Sequence, residues 1–234
     1  GLKKIIFWIF WIWLPIKRCA VITTDSRTIK HELLKVTNCA PQKIKVLYAP
    51  VCEIYKPSIK IFNPKKIRIL HIGSTDNKNL KNHVEALKNR DIVFELAIIC
   101  SDPKKVRNIL RSVNFKFSIF SNLSLKNVYQ QYKLCDIILF SSLYEGFGLP
   151  IIEAQAVGRP VVTSNYGSMK EISNGTTCLV NPKDPSSIYA GLEKIIKDKK
   201  YRDSLVVGGF KNVERFSAQK IGRDYINLYK KILN

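Results

Sequence analysis

The sequence predicts an α/β protein built on a doubly wound parallel sheet, and three observations carry that expectation. From about residue 67 onward, strand-like and helix-like patterns alternate along the chain. Two of the strand candidates, IVFELAII and DIILF, are continuously apolar and rich in β-branched residues, as suits strands covered on both faces. The 234 residues are 46% apolar and 24% charged, a globular composition that excludes disordered and fibrous chains.

The elements follow in order. Phe7, Trp8, Phe10, Trp11 and Trp13 crowd the start, Pro15 ends that run, and Lys17-Arg18 follows. Apolar on all sides, this segment is either a buried helix or an interfacial anchor, and a buried or half-buried helix is the expectation adopted. The run Ile5–Ile16 is shorter than the roughly 20 residues that span a bilayer. Lys3-Lys4 precede it as in a signal peptide, but no small-residue cleavage site follows. Next come a strand (Ala20–Thr23), a helix (Ser26–Lys35, with Ser26 able to cap it) and a strand (Ile44–Tyr48). Residues 49–66 carry Pro50, Pro57 and Pro64 without a periodic pattern and read as a linker. Strands then read at Ile67–Ile72, Ile92–Ile99, Lys116–Phe120, Asp136–Phe140 and Pro160–Thr163. Helices read at Leu80–Lys88, Pro103–Arg111, Leu125–Leu134 and Pro150–Val157, and three more close the chain at Pro185–Lys197, Tyr201–Phe216 and Ala218–Ile232.

The formal net charge is +21, with about half of the excess in residues 1–70. Such a balance invites an anionic partner: nucleic acid, an acidic membrane surface or a phosphorylated substrate. Nucleic acid is not expected, because the chain lacks an RNP-type aromatic strand and a helix-turn-helix signature. A coding bias towards Lys, Ile and Asn would equally explain the charge. Six cysteines occur without a CxxC or Cys/His cluster, so no metal site is expected. Cys100 and Cys135, in or beside apolar runs, read as buried thiols in a reducing compartment.

In an open parallel sheet the ligand lies beyond the carboxyl ends of the strands. The first such loop is His71-Ile72-Gly73-Ser74-Thr75-Asp76-Asn77-Lys78-Asn79. Gly73 allows close approach of backbone to a ligand, and Lys78 precedes a helix start, where an anion finds N–H groups. A solvated lysine in a polar loop fits equally. The loop Ser141–Pro150 is richer. Gly146 and Gly148 flank Phe147, and Glu145 in the turn and Glu153 in the following helix converge on one cleft from two elements. Carboxylates accept hydrogen bonds from vicinal hydroxyls, which suits sugar or ribose recognition. A favourable charge at a helix N-terminus would also account for Glu153, and an exposed turn for Glu145.

The block Glu145-x7-Glu153 in EGFGLPIIEAQAVGRPVV, preceded by CDIILFSSLY, resembles the donor-binding domain of the family 4 retaining glycosyltransferases, which have the GT-B fold. HIGSTDNKN is similar to that family's first donor-domain loop, and TSNYGSMKEI and CLVNPKDPSSI to its next segments. AVITTDSRTIKHEL and KIKVLYAPV look like the closing strands of its acceptor domain. The resemblance implies a GT-B type fold with three parts. Residues 1–56 are the tail of the acceptor domain with the linker, 57–216 a Rossmann-like donor-binding domain, and 217–234 a helix returning to the acceptor side.

The resemblance also implies a hexosyltransferase of cell-surface polysaccharide or lipopolysaccharide synthesis, acting with retention and without a metal or other cofactor. Its partners would be a nucleotide sugar such as a UDP- or GDP-hexose, a glycan or lipid-linked acceptor, and the anionic inner face of the plasma membrane, with the chain itself in the cytoplasm. Lys78 and Glu145 are the catalytic candidates: Lys78 neutralises the diphosphate leaving group, and Glu145 meets hydroxyls of the transferred sugar. Glu153 holds the ribose. Gly73, Ser74 and the backbone of Gly146, Phe147, Gly148 and Leu149 contact phosphate or sugar oxygens, and Phe120, Ser121, Asn122 and Leu123 line the base. Two departures stand out. Ser74 occupies a place where family members commonly carry Arg, and Phe120-Ser121-Asn122 lacks the usual glycine. Arg159 reads as structural, and Glu171 as either site support or a helix-end charge. His71, at a strand end, reads as packing or hydrogen-bonding locally.

The chain starts at Gly1 rather than Met, and the first half of an acceptor domain is not found in it. A fragment is therefore the expectation. A non-catalytic nucleotide-sugar-binding module that needs another half is the alternative, and a nucleotide-sugar epimerase a minor third.

Overall fold

The computed structural model describes residues 1–90 and 92–233. Asn234, inside the expected C-terminal segment, lies outside the described residues. The chain opens with α1 (Leu2–Trp8), a π-helical stretch (Ile9–Trp13) and α2 (Leu14–Arg18). Pro15 therefore does not end the helix. It lies in the first turn of α2, directly after the wider π turn, where a missing N–H is cheap. The expected burial of this helix is also corrected. Trp11 is 72% exposed and Phe10 62%, and Ile16 is the residue of α2 that is buried.

A small parallel sheet follows, β1 (Ile22–Thr24) against β2 (Ile44–Val46), joined by α3 (Arg27–Thr37). Ser26 caps α3 as expected, its Oγ accepting from the Ile29 N–H at 3.2 Å. The larger unit comprises β3 (Ile67–Ile72), α4 (Leu80–Leu87), β4 (Phe94–Ile99), α5 (Pro103–Ile109), β5 (Lys116–Phe120), α6 (Leu125–Leu134), β6 (Ile137–Phe140), α7 (Leu149–Val157), β7 (Val161–Ser164), α8 (Gly167–Ser173), β8 (Cys178–Val180), α9 (Pro185–Lys197), α10 (Lys199–Val213) and α11 (Ala218–Leu233). Asp102, Ser124, Asp184 and Asp198 cap α5, α6, α9 and α10 through their side-chain oxygens. Pro103 and Pro185 stand at the openings of α5 and α9, where their missing N–H costs nothing. Two elements were not anticipated. The strand β8 is three residues long, and α8 opens on a glycine without a side-chain cap.

All six strands of the large sheet are parallel, in the order β5-β4-β3-β6-β7-β8. The strand earliest in the chain, β3, lies between β4 and β6, so the winding reverses there. A crevice opens beyond the carboxyl ends of the strands at such a point. Alternate residues face opposite ways. Ile69, Leu96, Ile137 and Leu139 join one core with α4, α5 and α9, while Leu70, Ala97, Ile138 and Phe140 join the other with α6, α7, Tyr55 and Phe216. Cys100, Cys135 and Cys178 are buried free thiols, and burial pushes the Cys135 thiol up to about 12. Among the described residues, no helix is long and apolar enough to cross a membrane.

Arg159 is structural, as expected. Its guanidinium donates to the carbonyls of Tyr132, Lys133, Ser58, Val157 and Gly158, at 2.9 to 3.3 Å. It thereby ties the end of α6, the end of α7 and the linker together in a buried place. Arg159→Met would take this donor from all five carbonyls, leaving Val157 only the Ser58 N–H and Tyr132 only the Cys135 thiol, and should cost about 3 kcal/mol of stability in urea unfolding. A loss below about 1 kcal/mol would show that water takes over the guanidinium's role.

Candidate functional site

The loops after β3 and β6 are neighbours because their strands pair across the switch point. In the first, Gly73 has φ +108°, and a Cβ there would lie 2.4 Å from Lys78 Cγ. Only glycine lets the Lys78 stem cross the backbone so closely. The ammonium so placed meets Glu145 Oε1 at 2.7 Å and lies 5.1 Å from the Phe140 ring centre. Lys78 and Glu145, drawn from separate connections, are thus in direct contact.

Other groups hold the two loops. The Leu143 N–H donates to the Asn77 carbonyl at 2.7 Å, and Asn77 Nδ2 donates to the Tyr144 carbonyl at 3.0 Å. Asn79, in the left-handed conformation at the head of α4, donates to the carbonyls of Ser141 and Pro182 at 3.0 and 2.7 Å. Ser168 Oγ donates to the Glu145 carbonyl at 2.7 Å. From the smaller unit, Ser26 Oγ donates to the Gly146 carbonyl at 2.7 Å, and Glu32 accepts from the Tyr144 hydroxyl at 2.8 Å.

Gly148 has φ +111° and heads α7 with no side-chain cap; Pro150 has no N–H and the Ile151 N–H donates to the Gly148 carbonyl at 3.0 Å, so of the first three helical positions Leu149 alone offers an N–H to the loop side. Leu149 is exposed at the helix start, while the Phe147 side chain is buried against Tyr48 and Phe216. Any role of Phe147 towards a ligand therefore belongs to its backbone. Because α7 begins at Leu149, Glu153 stands beyond the first turn. The reading of Glu153 as a first-turn, helix-dipole charge is corrected accordingly.

Glu153 makes no contact with the Lys78–Glu145 pair among the described hydrogen bonds. It accepts from Tyr132 at 2.6 Å, and the Tyr55 ring packs edge-on against Tyr132, 5.3 Å between centres. Burial raises its pKa above the usual carboxylate value, and the two phenols partly oppose that rise. Sequence reasoning missed both tyrosines. Tyr132 sits in an amphipathic helix and reads there as a core aromatic, and its partner is set only by the docking of α6 on α7.

The remaining candidates are placed as follows. The Ser74 side chain is buried, its Oγ bonded to Ser101 Oγ and accepting from the Asp102 N–H, both at 3.2 Å. Phe120 ends β5, and Ser121, Asn122 and Leu123 follow it at the same edge of the sheet. Asn122 has φ 53°, so it supplies the left-handed backbone that a glycine otherwise provides. Glu171 supports the junction of the two units: its carboxylate accepts from the N–H groups of Arg27 and Thr28 at 2.9 and 3.2 Å and from the Tyr48 hydroxyl at 3.1 Å. Among the described residues, no group of three His, Cys, Asp or Glu side chains could hold a metal ion.

A family model described as "Glycosyl transferases group 1" matches residues 56–211, the whole of the sheet that carries these loops. The chain belongs to this glycosyltransferase family. An uncharacterised glycosyltransferase of Methanocaldococcus jannaschii is 27% identical over 91% of the chain and 60% of its own length. The O-antigen chain mannosyltransferase RfbU of Salmonella typhimurium is 25% identical over 81% of the chain and 55% of its own length. The chain thus spans little more than half of these relatives. Among solved structures, the sucrose-phosphate synthase of Thermosynechococcus elongatus superposes with a TM-score of 0.82 at 18% identity, covering 93% of this chain and 59% of the other. Anabaena HepE, solved in complex with UDP and glucose, gives 0.80 at 15% identity, covering 94% and 65%. The fold is that of the GT-B glycosyltransferases.

The Tyr132 phenol bond to Glu153 favours its ionised form. Tyr132→Phe removes the 2.6 Å bond and should raise the carboxyl pKa further, read by carbon-13 NMR of labelled glutamate. An unchanged or lowered value would mean that the Tyr132 bond does not act on the carboxylate.

Proposed function

We propose that this glycosyltransferase chain carries the nucleotide-sugar site of a retaining hexosyltransferase acting in cell-surface polysaccharide or lipopolysaccharide synthesis. The observation that carries the reading is the meeting of Lys78 and Glu145 at the switch point of the sheet. A diphosphate lying against Lys78 gains a charge-assisted contact, and the same ammonium stabilises the nucleoside diphosphate as it leaves. The Leu149 N–H at the head of α7 adds a neutral donor for a phosphate or sugar oxygen. Glu145, at the edge of that space, accepts from hydroxyls of the transferred sugar. Glu153, oriented by the Tyr132 phenol, accepts from the vicinal ribose hydroxyls, and residues 120–123 lie where the base would rest.

The bound UDP and glucose of Anabaena HepE and the O-antigen role named for the Salmonella relative support this donor class and this setting. Residues 1–56 then belong to the acceptor side, and α11 leads back towards it. A glycan or lipid-linked acceptor at the anionic inner face of the plasma membrane fits the basic, Trp-rich start of the chain. No residue in this scheme calls for a metal.

Calorimetric titration with UDP and with GDP tests the reading. One of them should bind, and Glu153→Ala should weaken it by roughly 1–3 kcal/mol, the usual cost of losing a charged hydrogen-bond partner. Absence of heat with both nucleotides in a folded sample would remove the donor site. An affinity unchanged in Glu153→Ala would remove the ribose assignment.

A further inference from the structure

Two histidines lie wholly buried beneath the donor loops, His71 at the end of β3 and His83 in α4, each with 0% exposure. Their Nδ1 atoms are 2.9 Å apart. His71 Nε2 lies 2.8 Å from the Gly73 carbonyl oxygen, and His83 Nε2 lies 2.7 Å from Ser141 Oγ. These contacts form one unbroken chain from the loop that bears Glu145 to the loop that bears Lys78.

Its direction follows from the chemistry of the ends. A carbonyl oxygen only accepts, so His71 Nε2 carries a proton. Burial, with Lys78 close by, lowers the His71 pKa to about 4, and burial lowers that of His83 as well, so both rings are neutral and each holds one N–H. The bare Nδ1 of His71 must then accept from His83 Nδ1–H, and the bare Nε2 of His83 from the Ser141 hydroxyl. Every buried polar atom in the chain has a partner in this arrangement and in no other with neutral rings.

We propose that the chain Ser141–His83–His71–Gly73 is a positioning relay that locks the left-handed Gly73 peptide, and with it the path of Lys78, to the loop after β6. The inference rests on the donor-site reading for its consequence, but the relay itself is a property of the apo protein. Gly73 is the residue over which the Lys78 stem passes, so turning its carbonyl moves the ammonium that faces Glu145. His83 touches neither the ammonium nor the carboxylate and acts only through His71.

Nitrogen-15 spectra of the histidine-labelled chain test the direction: His71 should show the Nε2–H tautomer and His83 the Nδ1–H tautomer. The opposite assignment would overturn the relay. Hydrogen exchange then tests the positioning. In His83→Leu the amides of Gly73 and Lys78 should exchange faster, while those of Leu96 and Ile98 in the core strand keep their protection. In His83→Asn an amide N–H replaces Nδ1–H, and loop protection should return. If His83→Leu does not fold, Ser141→Ala carries the same exchange readout. UDP or GDP affinity should fall about tenfold in His83→Leu and recover in His83→Asn. Unchanged loop exchange and affinity in a folded variant would overturn the proposal. A wild-type chain that binds neither nucleotide would refute the donor reading, while the tautomer and exchange results would still decide the relay.

Discussion

The reversal of winding at β3 is the constraint from which the site follows. Because β3 pairs with β4 on one side and β6 on the other, the connections after β3 and β6 leave the same edge side by side. Lys78 and Glu145 lie far apart in sequence, yet sheet topology alone makes them neighbours. Their ion pair is the result of that placement rather than its cause. Both groups keep some contact with solvent, and a partly exposed pair contributes little to stability. What holds the loops is a set of hydrogen bonds to backbone carbonyls from Asn77, Asn79 and Ser168 across the crevice. The polar site is thus carried by neutral amides and hydroxyls, and the two charges are left to act on a ligand.

The same economy appears at the junction with the smaller unit. Glu171 satisfies the first N–H groups of α3, and Ser26 at the head of that helix bonds both to Ile29 and to the Gly146 carbonyl. A helix start on one unit is therefore completed by a side chain of the other. Rotation between the units would expose unpaired N–H groups at α3 and free the Gly146 peptide, which adjoins Glu145. The geometry of the loop carrying Glu145 is in this way coupled to the seating of α3.

Much of the large sheet was legible because each strand and helix announces itself locally. Continuous β-branched runs marked β4 and β6, and the alternation of strand and helix patterns marked β3, α5, α6 and α9. The misses have physical reasons. A three-residue strand such as β8 carries no periodicity, and α8, opening on Gly167, has no capping signal. The aromatic run at the start was read by hydrophobicity alone, which ranks burial but does not say what covers a surface. Pro15 was read as a stop, although proline is accepted in the first turn of a helix, and the π turn before it supplies that opening. In the site, loop residues were legible by type and place. The Tyr132 phenol on Glu153 and the paired histidines were not, since the first depends on how α6 docks on α7 and the second on how α4 packs against the end of β3.

Asn122 and Ser74 show how local chemistry sets the part a loop residue can play. Asn122 adopts the left-handed backbone at the loop after β5, a conformation that asparagine tolerates better than most side chains. The turn is therefore made without a glycine. Ser74 is a different case. Its hydroxyl is committed to Ser101 and the Asp102 N–H, so it joins the loops after β3 and β4 and brings no charge to the crevice. Among the described residues no cation other than Lys78 bonds to Glu145. That concentration of charge on one flexible side chain makes its alignment over Gly73 the sensitive point of the site, and it is there that the buried histidines exert their hold.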